Sequence, residues 1–257
     1  MFPRKSRNTL HLPVQGRSEN ALSHSSVNFD RIARPYRWLE YLTFGPWLAR
    51  CRSAQLVHLT GARHVLLLGD GDGRFLARLL AGHPTLTADV VDSSHSMLRI
   101  LDRRVRRSGQ QARQRICLHH ADALQWNPTR RYDLIVSHFF LDCFFPGQLE
   151  QLLDRLLPYA LPGARWVISE FAIPPSTPAA HLARGVVGLL YRAFGLLTGL
   201  RVRALPDYAT ALRHRGLVPI HDCRYLAGLL RSQVWMLPAS RTTIATERRK
   251  HCSAKMI

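Results

Sequence analysis

Short apolar runs of strand character recur along this chain at 64–68 (HVLLL), 88–91 (ADVV), 115–118 (RICL), 132–137 (YDLIVS) and 164–169 (ARWVIS), with helix-length stretches between most of them. Runs of four to six apolar residues with few interior charges suit strands covered on both faces. After Gly147, the residues Leu149, Leu152, Leu153, Leu156 and Leu157 fall at i, i+3, i+4, i+7 and i+8, one stripe of a helix expected to stop at Pro162 and Gly163. Residues 74–81 and 94–107 also read as helices. Strand and helix in alternation predict an α/β fold, a doubly wound and mainly parallel sheet. The runs at 217–224 and 231–237 have no helix between them and predict an antiparallel hairpin on the sheet edge.

Around this core the organisation is simple. Residues 1–27 are polar, rich in Ser and Arg, and without periodicity; they read as a leader outside the fold, and 239–257 as a similar tail. One domain is expected over 28–238. Its first part, 28–59, looks helical and aromatic-rich, and 179–200 reads as an inserted, largely apolar helix placed like a lid. No internal repeat is present.

Composition excludes several classes. With 257 residues, 46% of them hydrophobic, one well-packed core is expected, and 16 Gly with 15 Pro rule out collagen-like architecture. The five cysteines, at 51, 117, 143, 223 and 252, form no CxxC pair. That argues against a disulfide framework and a structural zinc site, and for a reducing, cytoplasmic setting. The longest apolar candidate, 186–200, is interrupted by Arg192 and is too short to span a bilayer.

A formal charge of +19 invites a nucleic-acid reading, but its distribution is less suggestive. The two ends hold nine bases against Glu19 and Glu247, a net +7, and only three of the 36 bases are lysines. Seven arginines between Arg99 and Arg115 form the one basic cluster, with little aromatic interleaving. A solvated helix face is the default there, and an RNA partner the alternative.

The first strand runs into Gly69-Asp70-Gly71-Asp72-Gly73. Glycines let a backbone turn tightly and approach a ligand, with a helix N-terminus behind them. A dinucleotide fingerprint starting at Gly69 needs glycine at 74, where this chain has Arg74. Two carboxylates in the loop would also repel a pyrophosphate by several kcal/mol, taking about 332/(εr) with ε near 20. The loop favours a ligand carrying positive charge, such as S-adenosylmethionine with its ammonium and sulfonium. At the tip of the second strand Asp92 stands 19 residues after Gly73, the interval at which an acid takes a ribose hydroxyl; a cap for the following helix is the competing role. Asp122, after the third strand, could accept from an adenine amino group or form a simple Asx turn.

Together VLLLGDGDGRFL, ADVVDSSHSML, HHADALQW, YDLIVSHFFLDCF and PGARWVISEF resemble, in order and spacing, the class I S-adenosylmethionine-dependent methyltransferases. FDRIARPYRWLEYLTFG is similar to the N-terminal region of bacterial small-molecule members of the ubiquinone/menaquinone-biosynthesis type. The resemblance covers about 28–238 and implies a Rossmann-like sheet of order 3-2-1-4-5-7-6 with the seventh strand antiparallel. It implies that Gly69, Gly71 and Gly73 wrap the methionine part of the cofactor and Asp92 holds the ribose. Ser93 and Met97 would flank the adenine, Asp122 and Ala123 would meet its edge, and Ser137 and His138 would lie beside the methionine. Apart from the resemblance, Tyr36 has two readings, closing the cofactor pocket from the N-terminal side or serving as a core tyrosine. One departure stands out: Leu67 occupies a position where the family usually has an acid, leaving Asp70 or Asp72 to take the ammonium.

Methyl transfer is an in-line displacement governed by alignment and exclusion of water, and a base is needed only for an acidic nucleophile. His138 and Asp142 are the candidates. No Asn-Pro-Pro-Tyr or Asp-Pro-Pro-Tyr segment follows the fourth strand, which lowers the case for a nucleobase amine, and Cys143 lacks the preceding proline of a cytosine-5 nucleophile. The expected function is methylation of an oxygen or carbon on a small apolar or aromatic acceptor, with peripheral membrane contact allowed by the 179–200 segment. An RNA methyltransferase and a non-catalytic methyltransferase-like binding protein are the alternatives.

Overall fold

The computed structural model describes residues 46–173, 185 and 205–239. Its elements are α1 (Trp47–Ser53), β1 (His64–Leu68), α2 (Arg74–Gly82), β2 (Thr87–Asp92), α3 (His95–Arg107), α4 (Gln110–Gln114), β3 (Ile116–His120), β4 (Tyr132–His138), α5 (Pro146–Leu156), β5 (Ala160–Phe171), α6 (Tyr208–His214), β6 (Val218–Tyr225) and β7 (Leu230–Met236). The strands form one seven-stranded sheet of order β3-β2-β1-β4-β5-β7-β6, with β7 antiparallel to both neighbours. Of the expectation over 28–59, 28–45 lie outside the described residues, as do the leader, the 179–200 insertion apart from Gly185, and the tail beyond 239.

The apolar runs become strands because each feeds two cores. Along β1, Val65 and Leu67 join Phe75, Leu76, Leu79, Leu98 and Leu101 of α2 and α3 on one face. Leu66 and Leu68 join Leu149, Leu152, Leu153 and Leu156 of α5 on the other. Alternation at period two thus meets a helical stripe on each side. Each buried leucine contributes roughly 1.5–3 kcal/mol.

The helix expected to reach Pro162 ends at Leu156. Pro158 lies in a 3-10 turn (Leu157–Tyr159), and β5 begins at Ala160 with Pro162 and Gly163 inside it. There Tyr132 pairs with Ala160 and Leu134 with Arg165, so the Pro-Gly segment is accommodated as an irregularity in the strand.

A charged group is buried in β2. Asp89, 2% exposed, accepts from Tyr132 Oη at 2.9 Å and Arg130 Nε at 3.1 Å through Oδ2, and its Oδ1 meets His119 Nε2 at 3.0 Å. Cys117 completes a cluster whose donor atoms lie within 4.8 Å of one another, but the Arg130 guanidinium already supplies that carboxylate's cation.

Candidate functional site

Parallel strands deliver their carboxyl ends to one rim, and β1 opens there into the glycine loop. Gly69 and Gly73 have φ of 61° and 78°, in the left-handed region. A Cβ at Gly69 would lie 2.4 Å from Phe140 Cδ2, and one at Gly73 2.7 Å from Leu101 Cγ. These two glycines admit neighbouring protein. Gly71, with φ of 62°, is different: among the described residues nothing lies within 4 Å of the Cβ it lacks. Its side of the loop is open space that a ligand backbone-close to the protein could fill.

The two loop acids have separate fates. Asp72 meets Arg74 Nε at 2.9 Å and an Arg104 guanidinium nitrogen at 2.9 Å, and its carbonyl accepts from Arg104 Nε at 2.8 Å. Its charge is neutralised within the protein. Asp70 accepts the Leu76 N–H at 3.3 Å through Oδ2, while Oδ1 is sealed from solvent without a partner among the described residues. Burial pushes the Asp70 carboxyl up to about 7, against the Leu76 N–H and the charge of Arg52, which lower it, and with Asp72 and Asp92, which raise it further. The repulsion that a phosphate would meet here therefore comes from Asp70, not from two equal acids.

At the end of β2, Asp92 Oδ1 accepts the Ser94 N–H at 2.8 Å. The helix cap is Ser94 itself, whose Oγ accepts the Met97 N–H at 3.2 Å. Ser93 is exposed, with its carbonyl 3.0 Å from His120 Nε2, and Met97 is buried in α3. Asp122 is exposed and closes an Asx turn onto the Leu124 N–H at 2.9 Å; Ala123 beside it is buried.

Ser137 and His138 leave β4 on opposite faces. Ser137 is fully buried and accepts from Trp166 Nε1 at 3.0 Å. His138 packs at 4.5 Å and 77° to the Phe75 ring, and neither imidazole nitrogen has a partner among the described residues. Burial, then the charge of Arg52, holds its pKa well below 6.5, so the ring is neutral near pH 7. Beyond it the chain turns through Phe139 (φ 52°) into a 3-10 turn (Leu141–Cys143). Burial pushes Asp142 up to about 6, and the Cys143 thiol donates to Asp142 Oδ1 at 3.6 Å. The thiol's own pKa is driven well above 9 by burial and by that carboxylate, so it is no nucleophile.

Two contributors escaped the sequence reading. Glu170, 1% exposed near the end of β5, accepts the N–H groups of Phe140 at 3.0 Å and Leu141 at 2.8 Å through Oε1. Arg52 of α1 acts electrostatically on both Asp70 and His138. A lone acid ending an otherwise apolar strand was the available signal for the first; nothing local marked the second. Tyr36 lies outside the described residues.

The arginine cluster is largely engaged by its own fold. Arg104 serves Asp72, Arg106 and Arg113 hold Asp102, and Arg115 donates to the carbonyls of Leu80, His83 and Leu86.

Residues 66–166 match the profile of a methyltransferase-domain family. No curated protein sequence matches the chain. The S-adenosylmethionine-dependent methyltransferase SibL in its apo form superposes with a TM-score of 0.59 at 18% identity, over 75% of this chain and 56% of SibL. The chain thus spans little more than half of that protein. N-methyltransferase NodS from Bradyrhizobium japonicum WM9, in complex with S-adenosyl-L-homocysteine, gives a TM-score of 0.55 at 17% identity, over 80% of this chain and 98% of NodS. An O-methyltransferase family protein from Burkholderia thailandensis gives 0.59 at 15%, over 84% and 64%. The fold is that of the S-adenosylmethionine-dependent methyltransferases, Rossmann-like with the reversed β7.

Proposed function

We propose that this chain, whose residues 66–166 match a methyltransferase-domain family, binds S-adenosylmethionine on the rim of β1 and β2 and methylates an oxygen or carbon of a small apolar or aromatic acceptor. The observation that carries the reading is the Asp70 Oδ1 atom, closed off from water and without a partner among the described residues, in the loop whose next residue, Gly71, has open space where a Cβ would stand. Such an oxygen is costly unless a donor or cation meets it. The methionine ammonium fits there, with Asp70 standing in for the acid that is absent at Leu67.

In this reading Gly69, Gly71 and Gly73 line the methionine part, and Asp92 takes the ribose hydroxyls. Ser93 and Met97 flank the adenine, and Asp122 and Ala123 meet its edge. Ser137 contributes backbone, because its hydroxyl is engaged by Trp166. His138, neutral and turned toward Phe75, forms a wall that places no opposing charge beside a sulfonium. The bound cofactor would supply an electrophilic methyl group on sulfur.

The acceptor side is aromatic. Phe139 and Phe171 lie 5.1 Å apart, Phe140 and Phe144 likewise, and Phe145 is 46% exposed. A flat apolar acceptor suits such a rim. This supports a small-molecule enzyme, the class that FDRIARPYRWLEYLTFG resembles in its ubiquinone/menaquinone-type members. Asp142, a carboxylate above about pH 6, is the residue proposed to receive the acceptor's proton.

Release of S-adenosylhomocysteine from methyl-labelled cofactor, over a panel of phenols, hydroxy acids and carbon acids, tests this. Turnover is expected with at least one acceptor, and Asp142→Asn should reduce it by about a hundredfold or more. Cofactor binding without turnover on any acceptor would indicate a non-catalytic binding protein.

A further inference from the structure

Glu170 does more in this fold than end a strand. Its Oε1 gathers the N–H groups of Phe140 and Leu141, the residues that carry the chain from β4 to Asp142. The turn needs such a clamp, because Phe139 holds φ at 52° and the Phe140 ring fills the space where Gly69 lacks a Cβ. Glu170 Oε2 is buried without a partner among the described residues. A clamp uses one oxygen; the second is unexplained by that role.

Among the described residues, Glu170 acts on acidic or neutral groups. Asp142 and Cys143 face it from the turn, Cys51 from α1 and Tyr208 from α6. Arg231, its cross-strand neighbour on β7, gives its guanidinium to Asp222 at 2.8 Å and 3.0 Å. Glu170 Oε1 holds the N–H of Leu141, the residue before Asp142, and the two acids are 1% and 9% exposed. Two buried carboxyls so placed cannot both ionise cheaply.

We propose that Asp142 and Glu170 form a proton-holding pair, in which Glu170 keeps one proton and positions Asp142 as the carboxylate that accepts the proton of the methyl acceptor. The inference rests on the methyl-transfer reading above and narrows its acceptor to one whose nucleophile must shed a proton: a hydroxyl, a phenol or an acidic carbon. For a hydroxyl, the acceptor's O–H bond breaks, the proton joins the Asp142 carboxylate and the electron pair remains on the acceptor oxygen. Glu170 touches neither reactant; it is a positioning residue. Burial and the Asp142 charge raise its pKa well above 4.5, in keeping with this role.

The test uses the full chain, labelled with carbon-13 at the glutamate side-chain carboxyls and titrated by NMR without ligand. The sequence has five glutamates, so the spectrum is sparse. One resonance is expected to titrate well above the ordinary carboxylate range, to vanish in Glu170→Gln, and to move down toward the others in Asp142→Asn. Should Glu170→Gln fail to fold, single replacement of Glu19, Glu40, Glu150 and Glu247 assigns the remaining signal. Titration of Glu170 with the other four, or a midpoint unmoved by Asp142→Asn, overturns the pair. Calorimetry with S-adenosylmethionine on the same samples separates the two claims: no binding with the NMR result intact defeats the methyl-transfer reading and leaves the proton pair standing.

Discussion

Replacing Asp70 by Asn removes a charge that the folded protein disfavours and the cofactor is proposed to need. Burial raises this carboxyl from 3.8 to about 7, so the native state holds a proton that the unfolded chain gives up. Below pH 3.8 both states are protonated and the group contributes nothing to the pH dependence. As pH rises toward 7 the unfolded state deprotonates first, and stability is lost across that window. At roughly 1.4 kcal/mol for each tenfold change in proton affinity, the loss approaches about 4 kcal/mol by pH 8. Asn carries no such penalty and keeps an acceptor for the Leu76 N–H. Urea denaturation of wild type and Asp70→Asn should therefore coincide near pH 4 and separate by up to about 4 kcal/mol at pH 8, roughly 10 °C in melting temperature, with the variant more stable. Affinity for S-adenosylmethionine should move the opposite way, falling about tenfold or more with the loss of a charge-assisted contact. Asp142 and Glu170 titrate in both proteins and cancel in the difference. Parallel pH profiles would refute the argument that Asp70 is an uncompensated buried acid.

Other outcomes follow from neighbouring geometry. Asp92→Ala should weaken S-adenosylmethionine binding by about tenfold or more, for loss of roughly 1.5–3 kcal/mol, measured by calorimetry. Gly71→Ala meets no atom of the protein, so it should cost only the roughly 1–2 kcal/mol of left-handed strain in a denaturation curve yet abolish cofactor binding. Gly69→Ala adds a collision with Phe140 and should destabilise by about 2–4 kcal/mol whether or not cofactor is present. Tyr132→Phe deprives Asp89 of a buried donor and should cost about 1–3 kcal/mol in stability, with cofactor affinity unchanged.

The strands were legible because burial on both faces leaves an unbroken apolar signature, as in HVLLL, and the seven-stranded order follows the family resemblance. The end of α5 was misread because Pro162-Gly163 is a strong stop signal in sequence, while the actual stop rests on Pro158 and the pairing of β5 with β4. The positions of the candidate residues were legible where the signal is local: the glycine loop after β1, Asp92 at the end of β2, and His138 with Asp142 at and after the end of β4. It was opaque where partners come from afar. That Asp72 is neutralised depends on Arg104, 32 residues away, and that Glu170 clamps the β4 turn depends on the pairing of β4 with β5. Spacing can place an acid on a rim, but only tertiary neighbours decide whether its charge is already matched.

Calorimetric titration of the full chain with S-adenosylmethionine and, in a separate experiment, with NADH bears most directly on the central claim. Saturable one-to-one binding of the sulfonium nucleoside, with no heat from the dinucleotide, is the expected result. Binding of NADH in its stead would show that the rim beside Asp70 accepts phosphate, and the assignment of this crevice to a cationic cofactor would be wrong.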